Sequence, residues 1–187
     1  MSIFLTSDLH LGHDKPFIWQ ARGFSSIEEH DSEIVRRWNE RVSEEDTVYL
    51  LGDVMLDDTV KGMEHLRSLK GEIHIVRGNH DTDRKVEMYL TSPNVAEVAA
   101  ALYLRQGKRT FYMSHYPTLV DNVADPGYVH PLICLYGHTH QRDCFFTAEG
   151  HTVPFMYHVG VDSHDLYPIL IEDVIDHIRA ERAGYTF

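Results

Sequence analysis

The 187-residue chain is 43% hydrophobic and 25% charged, proportions of an ordinary soluble protein, and its length fits a single domain spanning 1–187. No apolar run approaches the roughly 20 residues needed to cross a bilayer, and the segment from Met1 to Asp8 lacks the features of a secretory leader, so a cytoplasmic protein with no membrane partner is expected. A net charge of −12 disfavours long nucleic acid, and two cysteines, Cys134 and Cys144, are too few for a thiolate zinc site.

Along the chain, short apolar runs of strand length each end in a polar cluster. Ile3–Ser7 ends at Asp8, and Val48–Gly52 ends at Asp53. Between them, a capping-box pattern at Ser25 or Ser26 with Glu28 or Glu29 opens a helix over 27–42, which puts Ile34, Val35, Trp38 and Val42 on one face. A second helix is predicted over 58–69, with Asp57-Asp58 read as its cap. Ile73–Gly78 then ends at Asn79, and a short helix follows over 82–90. This alternation predicts an α/β layered sheet. Later, strands are expected over 95–104, 110–113, 132–136, 144–147, 153–159 and 169–171. Gln106-Gly107-Lys108 reads as a hairpin turn and 172–183 as a closing helix. Two sheets packed face to face with helices outside accommodate this order.

The chemistry sits at the strand ends, where α/β sheets place their ligands. The clusters read Asp8-Leu9-His10, Gly52-Asp53, Gly78-Asn79-His80-Asp81, Ser114-His115 and Gly137-His138-Thr139-His140. Two carboxylates, one amide and four imidazoles exceed one tetrahedral site and suit two divalent cations sharing a carboxylate. Mixed nitrogen and oxygen donors favour transition metals, Mn²⁺ first, with Fe, Zn²⁺ and Ni²⁺ as alternatives.

In this order the clusters resemble the signature of the calcineurin-like metallophosphoesterase superfamily. The Ser7–His13 opening, Ser-Asp-Leu-His-Leu-Gly-His, is similar to that of small single-domain bacterial and phage members. The resemblance implies a four-layer β-sandwich of two mixed sheets flanked by helices. It implies one metal on Asp8, His10, Asp53 and His140, with Asp53 bridging to a second metal on Asn79, His115 and His138. A hydroxide between the cations would be the nucleophile, and His80 would face substrate as the catalytic histidine that stabilises or protonates the leaving oxygen. Leu56 stands where some members carry an aspartate that orients this histidine; Asp57 or Asp81 are the available substitutes. The phosphate-gripping arginine of the protein-phosphatase branch is missing, and Arg22, Arg77 and Arg142 are possible replacements.

The other histidines carry blander readings. His30, His65 and His177 are expected to be solvated, His74 to face away on its strand, and His158 to pack. His13 is a candidate for substrate contact, and Arg22 for phosphate or for solvent. Tyr116 is read as packing on the sheet. Rim loops 12–24 and 116–130 carry Phe17, Trp19, Phe24, Tyr116 and Tyr128, aromatics able to stack a base. The expected activity is hydrolysis of a small phosphoester, a phosphodiester or nucleotide. A nuclease acting at nucleic-acid ends and a non-catalytic metal-binding scaffold are the rivals, and oligomeric state is left open.

Overall fold

The structure is a computed structural model that describes residues 1–118 and 132–183. Four parallel strands, β1 (Ile3–Thr6), β2 (Thr47–Leu50), β3 (Glu72–Val76) and β4 (Val95–Ala99), pair in chain order to form the first sheet. The parallel order follows from the helices that connect them: α1 (Pro16–Trp19) and α2 (Ile27–Arg41), then α3 (Thr59–Ser68), then α4 (Asp83–Tyr89). In α2 the capping choice resolves to Ser26, whose hydroxyl accepts from the Glu29 N–H. Asp58 caps α3, as expected, by accepting from the Val60 and Lys61 N–H groups.

The apolar run over 95–104 is divided between two sheets. It leaves the first sheet after Ala99 and re-enters as β5 (Leu102–Gln106), paired antiparallel with β6 (Arg109–Met113) across the expected Gly107-Lys108 turn. A continuous apolar run does not reveal where the chain steps between layers. The second sheet continues with β7 (Ile133–Tyr136), β8 (Phe145–Ala148) and β9 (His151–His158), in the order β5-β6-β7-β9-β8. Strand β10 (Ile169–Leu170) returns antiparallel to β1 and leads into α5 (Ile171–Ala183).

Alternation along the strands builds the layers. Phe4, Val48, Leu50, Ile73 and Ile75 pack with Ile34 and Trp38 of α2 and Met63 and Leu66 of α3. Leu5, Leu51 and Val76 turn the other way, onto Phe111, Met113, Ile133 and Leu135 of the second sheet and Val174 and Ile178 of α5. The result is two mixed sheets flanked by helices, with β1, β2, β3, β6 and β7 all delivering their C-terminal loops to the site. Among the described residues no helix is long and apolar enough to cross a membrane.

Candidate metal centre

The loops after β1 and β2 run side by side, with the Asp8 N–H bonded to the Gly52 carbonyl at 3.0 Å and the His10 N–H to the Asp53 carbonyl at 3.1 Å. Asp81, 1% exposed, ties the β2 loop to the β3 loop. Its carboxylate accepts from the Asp53 N–H at 2.8 Å, the Gly78 N–H at 2.8 Å and the Tyr89 hydroxyl at 2.7 Å. The Gly137 N–H bonds to the His115 carbonyl, and Val161 bonds back to Ser7.

Five of the seven predicted ligands sit in the left-handed backbone region: Asp8, His10, Asp53, His138 and His140 have φ of 59°, 53°, 53°, 69° and 49°. For non-glycine residues this costs on the order of 1–2 kcal/mol each and persists only where surroundings enforce it. Two glycines let the loops close. A Cβ on Gly52 would lie 2.7 Å from His115 Nδ1, and one on Gly137 would lie 2.6 Å from Asp8 Oδ2.

The side chains converge in two groups. Asp8, His10 and His140 form one triad and Asp53, His115 and His138 the other, each offering ligand atoms within 4.8 Å of one another. His10 Nε2 and His140 Nε2 are 3.1 Å apart. His115 Nε2 lies 2.9 Å from the Asn79 side-chain oxygen and 3.2 Å from His138 Nδ1. Asp53 Oδ2 stands between the groups, 3.7 Å from His10 Nε2 and 3.6 Å from His115 Nε2.

Proton placement shows why this donor set fits cations. His115 Nδ1 faces the Leu51 carbonyl at 2.8 Å and so carries the hydrogen. Its Nε2 lone pair then meets the Asn79 oxygen, acceptor against acceptor. His140 Nδ1 likewise donates to Asp162 at 2.9 Å and leaves its Nε2 lone pair facing His10. Burial, followed by the charge of Arg22, holds His10 well below the ordinary imidazole value, and burial also lowers His138. Burial lowers His140 too, but the Asp162 hydrogen bond and the Asp8 charge outweigh it and the net shift is upward. Burial pushes the Asp8 carboxyl up, against the charge of His140 and the hydrogen bond from Ser7 Oγ. Converging lone pairs and fully buried carboxylate oxygens are relieved by a positive ion.

His80 lies outside both triads. Its ring is 42% exposed, with Nε2 3.9 Å from Asp53 Oδ2. The expected substitutes for its missing aspartate do other work, since Asp57 pairs with Lys15 at 3.4 Å and Asp81 ties the loops. The main chain of His80 is held instead: its N–H donates to Asp53 Oδ1 at 2.9 Å, and its carbonyl accepts from Lys85 Nζ at 2.9 Å.

His13 stacks on His10 with their Nδ1 atoms 3.0 Å apart, and it also lines the cavity beside the site. Arg22 departs from its expected role. Nε and Nη2 hold Asp162 at 2.9 Å, Nη2 also reaches the Asp8 carbonyl, and Nη1 reaches the Leu9 carbonyl and His30 Nε2. All five N–H donors have acceptors, which leaves none for a substrate phosphate. His30 is likewise not solvated: it is fully buried between Arg22 and Asp31. Tyr116 does not pack into the sheet. It is half exposed, with its ring edge-on to His115 and His138. His158 is buried as expected, and His74 sits between Glu72 and Glu97. His65 and His177 are partly or fully exposed. Tyr128 and His130 lie outside the described residues.

Sequence reasoning gives no role to Lys85, and it places the 159–162 stretch at the rim only as second choice to packing. Asp162 had a usable signal, because Gly160-Val161-Asp162 follows a strand just as the other clusters do. Two hydrogen bonds from Arg22 and one from His140, with their charges, overcome the upward push of burial and hold its carboxyl far below the ordinary range.

Strand-end carboxylates, an amide and imidazoles gathered into two neighbouring candidate metal-binding groups on a two-sheet α/β frame are the features of the metallophosphoesterase class. The chain belongs to the calcineurin-like phosphoesterase superfamily, whose domain model matches residues 1–153. It is 31% identical to the gene 66 protein of Mycobacterium phage D29, over 90% of this chain and 92% of that protein. It is 26% identical to the gene 66 protein of Mycobacterium phage L5, over 98% of each. Among solved structures it superposes on AQ665 from Aquifex aeolicus with a TM-score of 0.64 at 18% identity, covering 94% of this chain and 98% of that one.

Proposed function

We propose that the protein is a dinuclear-metal-dependent phosphohydrolase that cleaves a small phosphodiester or nucleotide. The position of Asp53 Oδ2, 3.7 Å from an imidazole nitrogen of one triad and 3.6 Å from one of the other, carries this reading, because a carboxylate there can serve both sites. Asp8, His10, Asp53 and His140 would hold one ion, and Asp53, Asn79, His115 and His138 the second. When bound, a cation pair polarises the phosphoryl group and makes a nucleophile available at neutral pH. The mixed nitrogen and oxygen donors suit transition metals over Ca²⁺ or Mg²⁺; Mn²⁺ is the ion proposed, with Fe, Zn²⁺ or Ni²⁺ also compatible.

The remaining roles fall to this chain's own groups. His80, tethered at both its N–H and its carbonyl, faces substrate to stabilise or protonate the leaving oxygen. His13 keeps the His10 ring in place through the contact between their Nδ1 atoms and presents its far edge to substrate. A chain of net charge −12 repels long polyanions, which favours a small ester whose charge is met locally at the site.

Stripping the protein with chelator and adding back Mn²⁺, Ni²⁺ or Zn²⁺ tests this. Hydrolysis of bis-p-nitrophenyl phosphate should vanish and return; failure to return with any of the three refutes the reading.

A further inference from the structure

A cavity of about 430 Å³ opens beside the triad of Asp8, His10 and His140, within the usual range for a small-molecule pocket. His10, His80 and His140 form its inner wall, and Phe17 and Arg142 line it as well. Phe17 is 69% exposed and meets His13 edge-on at 5.6 Å, so an apolar ring stands uncovered at the site.

The charges lining this cavity do not cancel. Arg22 and Asp162 satisfy each other, which leaves the Arg142 guanidinium. Arg142 is exposed, and its one hydrogen bond among the described residues is from Nη2 to the Ala21 carbonyl at 3.3 Å. No carboxylate among the described residues lies within ion-pairing distance of it, although the chain carries 29 acidic residues against 17 Lys and Arg. It stands two residues beyond His140, on a loop fixed by bonds from the Gln141 amide to the Asp143 and Phe145 carbonyls. An arginine with free N–H donors, anchored at the mouth of an anion-processing site, presents the planar fork that phosphate takes up bidentately.

We propose that this cavity is a subsite for a second, uncleaved phosphate on the substrate, gripped by Arg142, with Phe17 covering the ring between the two phosphates. The inference rests on the phosphodiesterase reading and narrows it to diesters bearing an additional phosphate, such as a 5′-phosphorylated dinucleotide.

Two measurements test it. Mn²⁺-loaded protein is compared on thymidylyl-thymidine with and without a 5′-phosphate. Wild type should favour the phosphorylated substrate at least tenfold in kcat/KM, Arg142→Gln should lose that preference, and Arg142→Lys should keep part of it. Separately, calorimetric binding of thymidine 3′,5′-bisphosphate should weaken about tenfold in Arg142→Gln, while binding of thymidine 5′-monophosphate changes less. Equal wild-type use of both dinucleotides, or bisphosphate binding indifferent to Arg142, overturns the subsite. If wild type cleaves no diester yet binds bisphosphate through Arg142, the activity fails and the subsite stands.

Discussion

Replacing Asp162 by Asn should destabilise the protein and weaken one metal site together. The Arg22 side chain is 3% exposed and that of Asp162 15%, so solvent screens the pair little. Asn keeps the shape but removes the charge, and its amide nitrogen cannot accept from either Arg22 or His140. A buried cation that loses its partner typically costs about 3–5 kcal/mol. The carbonyls of Asp8 and Leu9 still accept from Arg22, which places the expected loss near the lower end. His140 loses the carboxylate that fixes its tautomer, a change that typically weakens metal binding by about 10–100-fold. Urea unfolding of chelator-treated protein measures the first effect, and Mn²⁺ titration the second. Arg22→Met in the Asp162→Asn background should restore stability relative to the single Asp162→Asn variant, since no orphan charge remains. A loss below about 1 kcal/mol with unchanged metal affinity would refute the view that Asp162 anchors this corner of the site.

Three further outcomes follow. His80→Ala should keep its full metal content while turnover falls by about 10²–10⁴-fold, most for substrates with poor leaving groups, as metal analysis and steady-state kinetics would show. Gly137→Ala places a Cβ 2.6 Å from Asp8 Oδ2, and should cost about 1–3 kcal/mol in urea unfolding and lower metal affinity at the Asp8 triad. His158 is buried, its Nδ1 faces Ser163 Oγ, and its Nε2 has no partner among the described residues; burial lowers its pKa to about 3. The unfolded chain therefore takes up that proton first as pH falls, so stability is full above about pH 6.5 and declines toward the folded value. Between pH 6.5 and 4.5 wild type should lose about 2 kcal/mol more than His158→Gln in unfolding midpoint series; parallel curves would contradict this.

The seven candidate ligands stood out because each ends or follows a strand-like run, and a parallel sheet brings strand ends to one rim whatever the intervening helices do. Helix caps at Ser26 and Asp58 were legible for a similarly local reason. What escaped depends on contacts between distant segments. The run over 95–104 looks uniform in hydropathy, yet both sheets need apolar residues there, so the step between them leaves no local mark. Arg22 and His30 have the composition of surface residues; only the fold shows that Asp162, 140 positions along from Arg22, takes up the charge. The left-handed backbone at Asp8, His10, Asp53, His138 and His140 is invisible in residue type, because Asp and His carry no backbone preference as marked as glycine's and the neighbouring loops hold the strain.

On the proposed reading, Asp53 joins two cation sites. Counting metal per chain by plasma emission after Mn²⁺ loading and desalting addresses it directly. Wild type should hold two ions per chain and Asp53→Asn close to none, whereas a single ion in wild type, or two retained by Asp53→Asn, would contradict the account.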